Sequence, residues 1–202
     1  MAKKLGLFGG TFDPIHLGHL ICAEQCRIQF ELEKVIFVPA RYPRFKEISR
    51  VSPSCDRLEM VRLATRTNHF FEVSTVEIDI QRPSYTVDTV QTIRSSLEPT
   101  TELSLILGED ALAVLPSWKE PSRLLDMCSI VILHRPNSDR LDWPQLEKSV
   151  PGIGKRIKWL DFPPIGISST IIRDRITQGL SVRYLVPDDV EWYIKTNHLF
   201  DT

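Results

Sequence analysis

The chain predicts an α/β fold built on a doubly wound parallel sheet, and three observations carry that expectation. Short β-branched and aromatic runs recur with helical patterns between them. Two of those runs, at 35–38 and 130–133, are almost wholly apolar, as befits central parallel strands covered on both faces. Right-handed crossovers between parallel strands then wind helices onto both faces of the sheet.

In chain order, a first strand at 5–8 runs into Gly9 and Gly10, and Asp13-Pro14 is the expected entry to a helix at about 15–30. The apolar strand 35–38 is followed by an irregular, proline- and charge-rich stretch at 39–53, then by a helix at 54–67. Strand 70–76, helix 86–97, strand 103–107 and helix 109–115 continue the alternation. The apolar strand 130–133 precedes a second irregular stretch at 134–154, and the last strand is expected at 157–160. Both irregular stretches follow a strand's carboxyl end, the edge at which open α/β sheets bind ligands, so they read as binding loops and not as linkers. From 167 the alternation stops; helices at 169–178 and 187–197 form a small C-terminal helical cap. The expected architecture is a Rossmann-like doubly wound parallel sheet, a single domain over 1–202 with 167–202 as its helical part.

Composition fits one such domain. The 202 residues are 42% hydrophobic, enough for a sizeable core, and no apolar run approaches the roughly 20 residues of a membrane span. Lys and Arg number 25 against 26 Asp and Glu, a formal net charge of −1, so the basic footprint of a general nucleic-acid binder is missing. Four scattered cysteines and no secretory leader pattern read as a reduced, cytoplasmic protein. Oligomeric state is not encoded in these features, and a homo-oligomer is compatible with them.

The first chemistry-bearing stretch is Gly9-Gly10-Thr11-Phe12-Asp13-Pro14-Ile15-His16-Leu17-Gly18-His19. Two glycines at a strand end let backbone approach a ligand. With the helix running, His16 and His19 share a face near its amino terminus, Gly18 leaves room between them, and two imidazoles at a positive helix end suit a phosphate chain. His19, Cys22 and Cys26 also fall on one helix face, but zinc would want a fourth ligand, and none is near in sequence. Buried cysteines on a core-facing helix are the simpler reading.

The second stretch, Ile167-Ser168-Ser169-Thr170-Ile171-Ile172-Arg173, opens a late helix. Ser168 or Ser169 can cap it, Thr170 and Arg173 lie on one side, and first-turn amides add partial positive charge, making a second anion clamp.

Together these stretches resemble the nucleotidyltransferase superfamily defined by an HxGH loop and an ISSTxxR helix start. Further matches are Pro83-Ser84-Tyr85-Thr86, Gly108-Glu109-Asp110, Pro116-Ser117-Trp118, His134-Arg135-Pro136 and Leu185-Val186-Pro187-Asp188. With them, most of the chain is similar to the bacterial nicotinate mononucleotide adenylyltransferases, which make deamido-NAD and pyrophosphate from ATP and nicotinate mononucleotide. The resemblance implies catalytic roles for His16, His19 and Arg173. It implies an ATP site made by Gly9, Gly10, Thr11, His16, His19, Gly108, Asp110, Arg135, Ser169, Thr170 and Arg173. A mononucleotide site would comprise Phe12, Lys46, Tyr85, Thr86 and Trp118. The residues agree with that placement: Tyr85 and Thr86 open a helix whose amides favour a carboxylate, and Trp118 offers a face for a pyridine ring, although core packing explains a tryptophan equally well.

In-line attack on the α-phosphate needs positioning and charge neutralisation, with magnesium carried by ATP and water, so no dedicated metal-ligand cage is expected. One departure concerns the stretch Pro43-Arg44-Phe45-Lys46, where the family commonly has Pro-Pro-His-Lys, and Ala40 stands where an asparagine is often seen. The shorter pantetheine phosphate adenylyltransferases share both clamps but usually lack the PSYT and Trp118 stretches. A tRNA-charging fragment would need a KMSKS-like lysine loop, which is missing here. A non-catalytic nucleotide sensor is the remaining alternative, against which both histidines and the arginine are present.

Overall fold

The structure, a computed structural model, describes residues 2–42, 51–80, 83–134 and 141–201. Its centre is a six-stranded, all-parallel sheet in the order β3-β2-β1-β4-β5-β6. The strands are β1 Lys4–Gly10, β2 Lys34–Pro39, β3 Phe71–Val73, β4 Glu102–Gly108, β5 Ser129–Leu133 and β6 Ile157–Trp159. Six strands were expected and six form, although β3 is shorter than 70–76 because pairing with β2 ends at Val73.

Alternation along each strand explains why both faces are covered. Leu5, Leu7, Leu103, Leu105, Ile130 and Ile132 enter one core, while Phe8, Val35, Phe37, Ile106 and Val131 enter the other. On the first face lie α3 (Thr86–Ser95) and α5 (Pro121–Met127), on the second α1 (Leu17–Gln29), α2 (Ser54–Thr65), α7 (Ser169–Thr177) and α8 (Asp188–Thr196). The short α4 (Asp110–Val114) follows β4 directly.

Two helices were not anticipated. α5 starts on Pro121 after Glu120 in the left-handed region. α6 (Trp143–Ser149) lies within the stretch expected to be irregular and is capped by Asp142, whose side chain accepts from the Gln145 N–H at 3.0 Å. Its single buried residue, Leu146, explains why periodicity did not announce it. The 39–53 stretch is described only at its two ends.

The C-terminal helices share the core of β1, α1 and α2 through Ile172, Val182, Val186, Val190 and Ile194. Leu17 N–H donates to the Leu185 carbonyl at 2.9 Å, and the Tyr193 hydroxyl to Asp56 at 2.9 Å. No helix among the described residues is long and apolar enough to cross a membrane.

Candidate active site

Strand order reverses between β1 and β4, and a crevice opens outside their carboxyl ends, where such sheets hold ligands. Two cavities meet there. One, of about 520 Å³, is lined by Thr11, His16, Gly18 and His19 together with Gly108, Asp110 and Ser168 to Thr170. The other, of about 240 Å³, is lined by Glu77, Ser84, Tyr85, Thr86, Trp118 and Lys119 among others. Gly9 and Gly10 belong to both walls. A Cβ on Gly10 would stand 2.9 Å from the buried Phe12 ring, so position 10 admits only glycine without rearrangement.

The histidine pair differs in detail from the expectation. Asp13-Pro14 does not start the helix; His16 is its N-cap in extended conformation, and α1 begins at Leu17. The His19 N–H donates to His16 Nδ1 and the His16 N–H to His19 Nδ1, both at 3.3 Å. An Nδ1 that accepts carries no proton, so each neutral ring is the Nε2–H tautomer, a donor on its other edge. The rings stack at 3.6 Å and 25°, and His19 is backed edge-on by Phe8 and Phe12. Thus two imidazoles are fixed as N–H donors beside one cavity, a suitable wall for a phosphate chain.

The second clamp docks on the first. Ser168 is the cap, accepting from the Ile171 N–H at 3.2 Å. Ser169 Oγ donates to the Pro14 carbonyl at 2.9 Å. Arg173 is not on the cavity wall: its Nη1 donates to the Asp13 carbonyl at 2.7 Å and its Nη2 to Thr170 Oγ1 at 3.3 Å. Thr170 does line the cavity, as do Gly108 and Asp110 at the end of β4.

On the smaller cavity, Tyr85 is the N-cap of α3 without a side-chain cap bond, which leaves the first-turn amides of Thr86 and Val87 at the wall. Trp118 is half-buried, packs on the core, and also faces this cavity; its indole Nε1 finds no acceptor among the described residues. Its packing is that of a core residue, and its place on the cavity wall leaves a face open to a ligand. Phe12 is placed differently from the expectation. Its ring, 2% exposed, is core between Phe8 and Phe37, and it borders the larger cavity, not the Tyr85 one. Lys46 and Arg135 lie outside the described residues.

Among the wall residues missed in the sequence are Glu77, Lys119 and Tyr42. Glu77 accepts from Ser84 and Thr89 hydroxyls at 2.7 Å each. Lys119 binds both Asp88 oxygens at 3.0 Å with its ammonium 4.8 Å from the Tyr85 ring centre. Lys119 adjoins Trp118 in sequence, a legible hint; Glu77 has only tertiary partners. Burial pushes the Cys26 thiol up to about 12, so it is a core group. No set of three or more His, Cys, Asp or Glu side chains among the described residues could hold a metal.

Comparison with known proteins agrees with this geometry. The cytidylyltransferase-like family model matches residues 7–175. The probable nicotinate-nucleotide adenylyltransferase of Dehalococcoides mccartyi is 39% identical over 200 residues, 99% of this chain and 98% of its own. That of Roseiflexus sp. is 42% identical over 199 residues, 98% of each chain. Among solved structures, Plasmodium falciparum nicotinic acid mononucleotide adenylyltransferase complexed with NaAD superposes with a TM-score of 0.78 at 18% identity, covering 98% of this chain and 97% of its own. That likeness speaks for the fold.

Proposed function

The chain belongs to the cytidylyltransferase-like family, and from that membership we propose that it transfers AMP from ATP to nicotinate mononucleotide, yielding deamido-NAD and pyrophosphate. The observation that carries this reading is the pair of cavities joined at Gly9 and Gly10. Two substrates seated one in each would bring their phosphates together over a backbone without side chains.

In the larger cavity ATP would place its adenosine by Gly108 and Asp110 and its triphosphate between the His16–His19 pair and the Ser169–Thr170 turn. In the smaller, the nicotinate carboxylate would meet the Thr86 and Val87 amides, and the pyridine ring the Trp118 face. An oxygen of the acceptor 5′-phosphate attacks the α-phosphorus in line. The bond from that phosphorus to the bridging oxygen breaks, and its electron pair leaves with pyrophosphate. The imidazole Nε2–H donors stabilise the negative charge that develops on departure. Arg173, held on Asp13, keeps the two clamps in register. Magnesium enters with ATP as part of the substrate; Asp110 is the one carboxylate among the described residues lining that cavity.

The test is pyrophosphate release from ATP and magnesium with nicotinate or nicotinamide mononucleotide. The acid form should be turned over with the higher kcat/KM. Release with neither mononucleotide, or a preference for the amide, would refute the assignment.

A further inference from the structure

Four main-chain carbonyls from three stretches of chain converge on one buried guanidinium. Arg57, on α2, is 1% exposed. Its Nε donates to the Ser52 carbonyl at 3.0 Å, its Nη1 to those of Thr11 at 2.8 Å and Ala40 at 2.6 Å, and its Nη2 to that of Arg41 at 3.2 Å. Burial disfavours this charge and holds its pKa below the ordinary value, and Asp13, itself 2% exposed, offsets part of that. A buried charge of this kind is seldom the most stable filling for its site, since apolar groups of similar volume often serve as well. What it supplies is a fixed arrangement of the groups it binds.

Three of those four carbonyls lie just past the ends of strands that border the two cavities, and the fourth, of Ser52, precedes α2. Ala40 and Arg41 follow β2 directly, and Thr11 follows β1. A trans peptide directs its N–H opposite to its carbonyl. With the Thr11 carbonyl turned onto Arg57, the Phe12 N–H is directed away from Arg57, and both Thr11 and Phe12 border the larger cavity. The conformation needs holding: Phe12 has φ of 49°, a region that residues with a Cβ rarely adopt. Its ring is locked in the core, and the following carbonyls of Asp13 and Pro14 are held by Arg173 and Ser169.

We propose that Arg57 is a positioning residue for adenylyl transfer, which by gripping the Thr11 carbonyl aims the Phe12 N–H at the phosphoryl group that passes between the two cavities. The role rests on the adenylyltransferase reading and adds to it a residue that touches neither substrate. Its neighbours Thr11 and Gly10 then form, with Phe12, a backbone cradle set before substrate arrives, and preorganised donors of this type act on the transition state more than on binding.

The experiment compares wild type with Arg57→Lys and Arg57→Met. Steady-state kcat and both KM values are measured with ATP, magnesium and nicotinate mononucleotide, and the Phe12 amide resonance is followed while magnesium-ATP alone is added. Arg57→Lys keeps the charge beside Asp13 but not a planar fork that spans four carbonyls. We expect kcat to fall about 10²–10³-fold, with each KM changed less than about threefold. The Phe12 resonance should move with ATP in wild type and lose that response in Arg57→Lys. Should Arg57→Met fail to fold, Arg57→Lys carries the measurement. Wild-type kcat in Arg57→Lys, a loss that only tracks the folded fraction, or a Phe12 amide indifferent to ATP in wild type would overturn the proposal. If wild type instead moves its Phe12 resonance with ATP but releases no pyrophosphate with the mononucleotide, the substrate assignment fails while the Phe12 placement stands.

Discussion

Gly18→Ala separates stability from catalysis at a position where both can be worked out. Gly18 is the second residue of α1, and replacing a helical glycine by alanine favours the helix by up to about 1 kcal/mol. The new Cβ, however, would stand 3.0 Å from His16 Nδ1 and 3.1 Å from His16 Cε1, with Ile165 Cγ2 at 3.4 Å on the other flank. The imidazole must therefore retreat by a few tenths of an ångström. Its bond from the His19 N–H is already 3.3 Å long and has little slack, and weakening such a cap costs on the order of 1 kcal/mol. The two terms nearly cancel, so the melting temperature should stay within about 4 °C of wild type. Catalysis has no such compensation. A misplacement of about 1 Å can cost 10²-fold, and here the ring proposed to meet the phosphates is moved by part of that with its tautomer-fixing bond loosened, so kcat should fall about 10-fold. Thermal melting and pyrophosphate release on the same preparation measure both. Wild-type kcat in a normally stable variant would refute the role given to the His16 ring.

Arg173→Lys keeps a charge but cannot bridge Asp13 and Thr170 together, so the Ser169–Thr170 turn loses its register with the His16–His19 pair and ATP KM should rise about 10-fold, with the mononucleotide KM unchanged. Equal losses for both substrates would show that it merely supports α7. Trp118→Ala should weaken acid and amide mononucleotides alike, since a ring face does not read the carboxyl group, and a collapsed acid-to-amide ratio would contradict that. Burial, reinforced by the bond to Asp56, raises the Tyr193 phenol to about 12. The folded state thus holds this proton more tightly than the unfolded chain, so the contribution is complete below about pH 10 and is lost as pH rises towards 12. Tyr193→Phe should flatten that part of the alkaline loss in urea unfolding, and an unchanged slope would remove Tyr193 as its source.

The sequence by itself determined the layers and the chemistry at their edges. Strand runs such as 35–38 and 130–133 are apolar on both alternating faces, which already demands helices above and below, and Gly9, Gly10, His16 and His19 lie close enough in the chain for their grouping at one sheet edge to be legible. Helix α6 shows where that legibility stops, because its cap was readable but its single buried side chain left no periodic pattern. Only the tertiary structure decided which groups face a cavity. Arg173 turns to Asp13, 160 residues away, and Ser169 to Pro14, 155 away; Phe12 goes into the core, and Glu77 joins the smaller cavity through Ser84 and Thr89. Arg57 is the clearest case, for in sequence it is one more charge on a helix. The physical reason is that local propensity fixes φ, ψ and the face a residue occupies. A carbonyl's partner, or a ring's exposure, depends on how distant segments pack, and no short-range pattern encodes that.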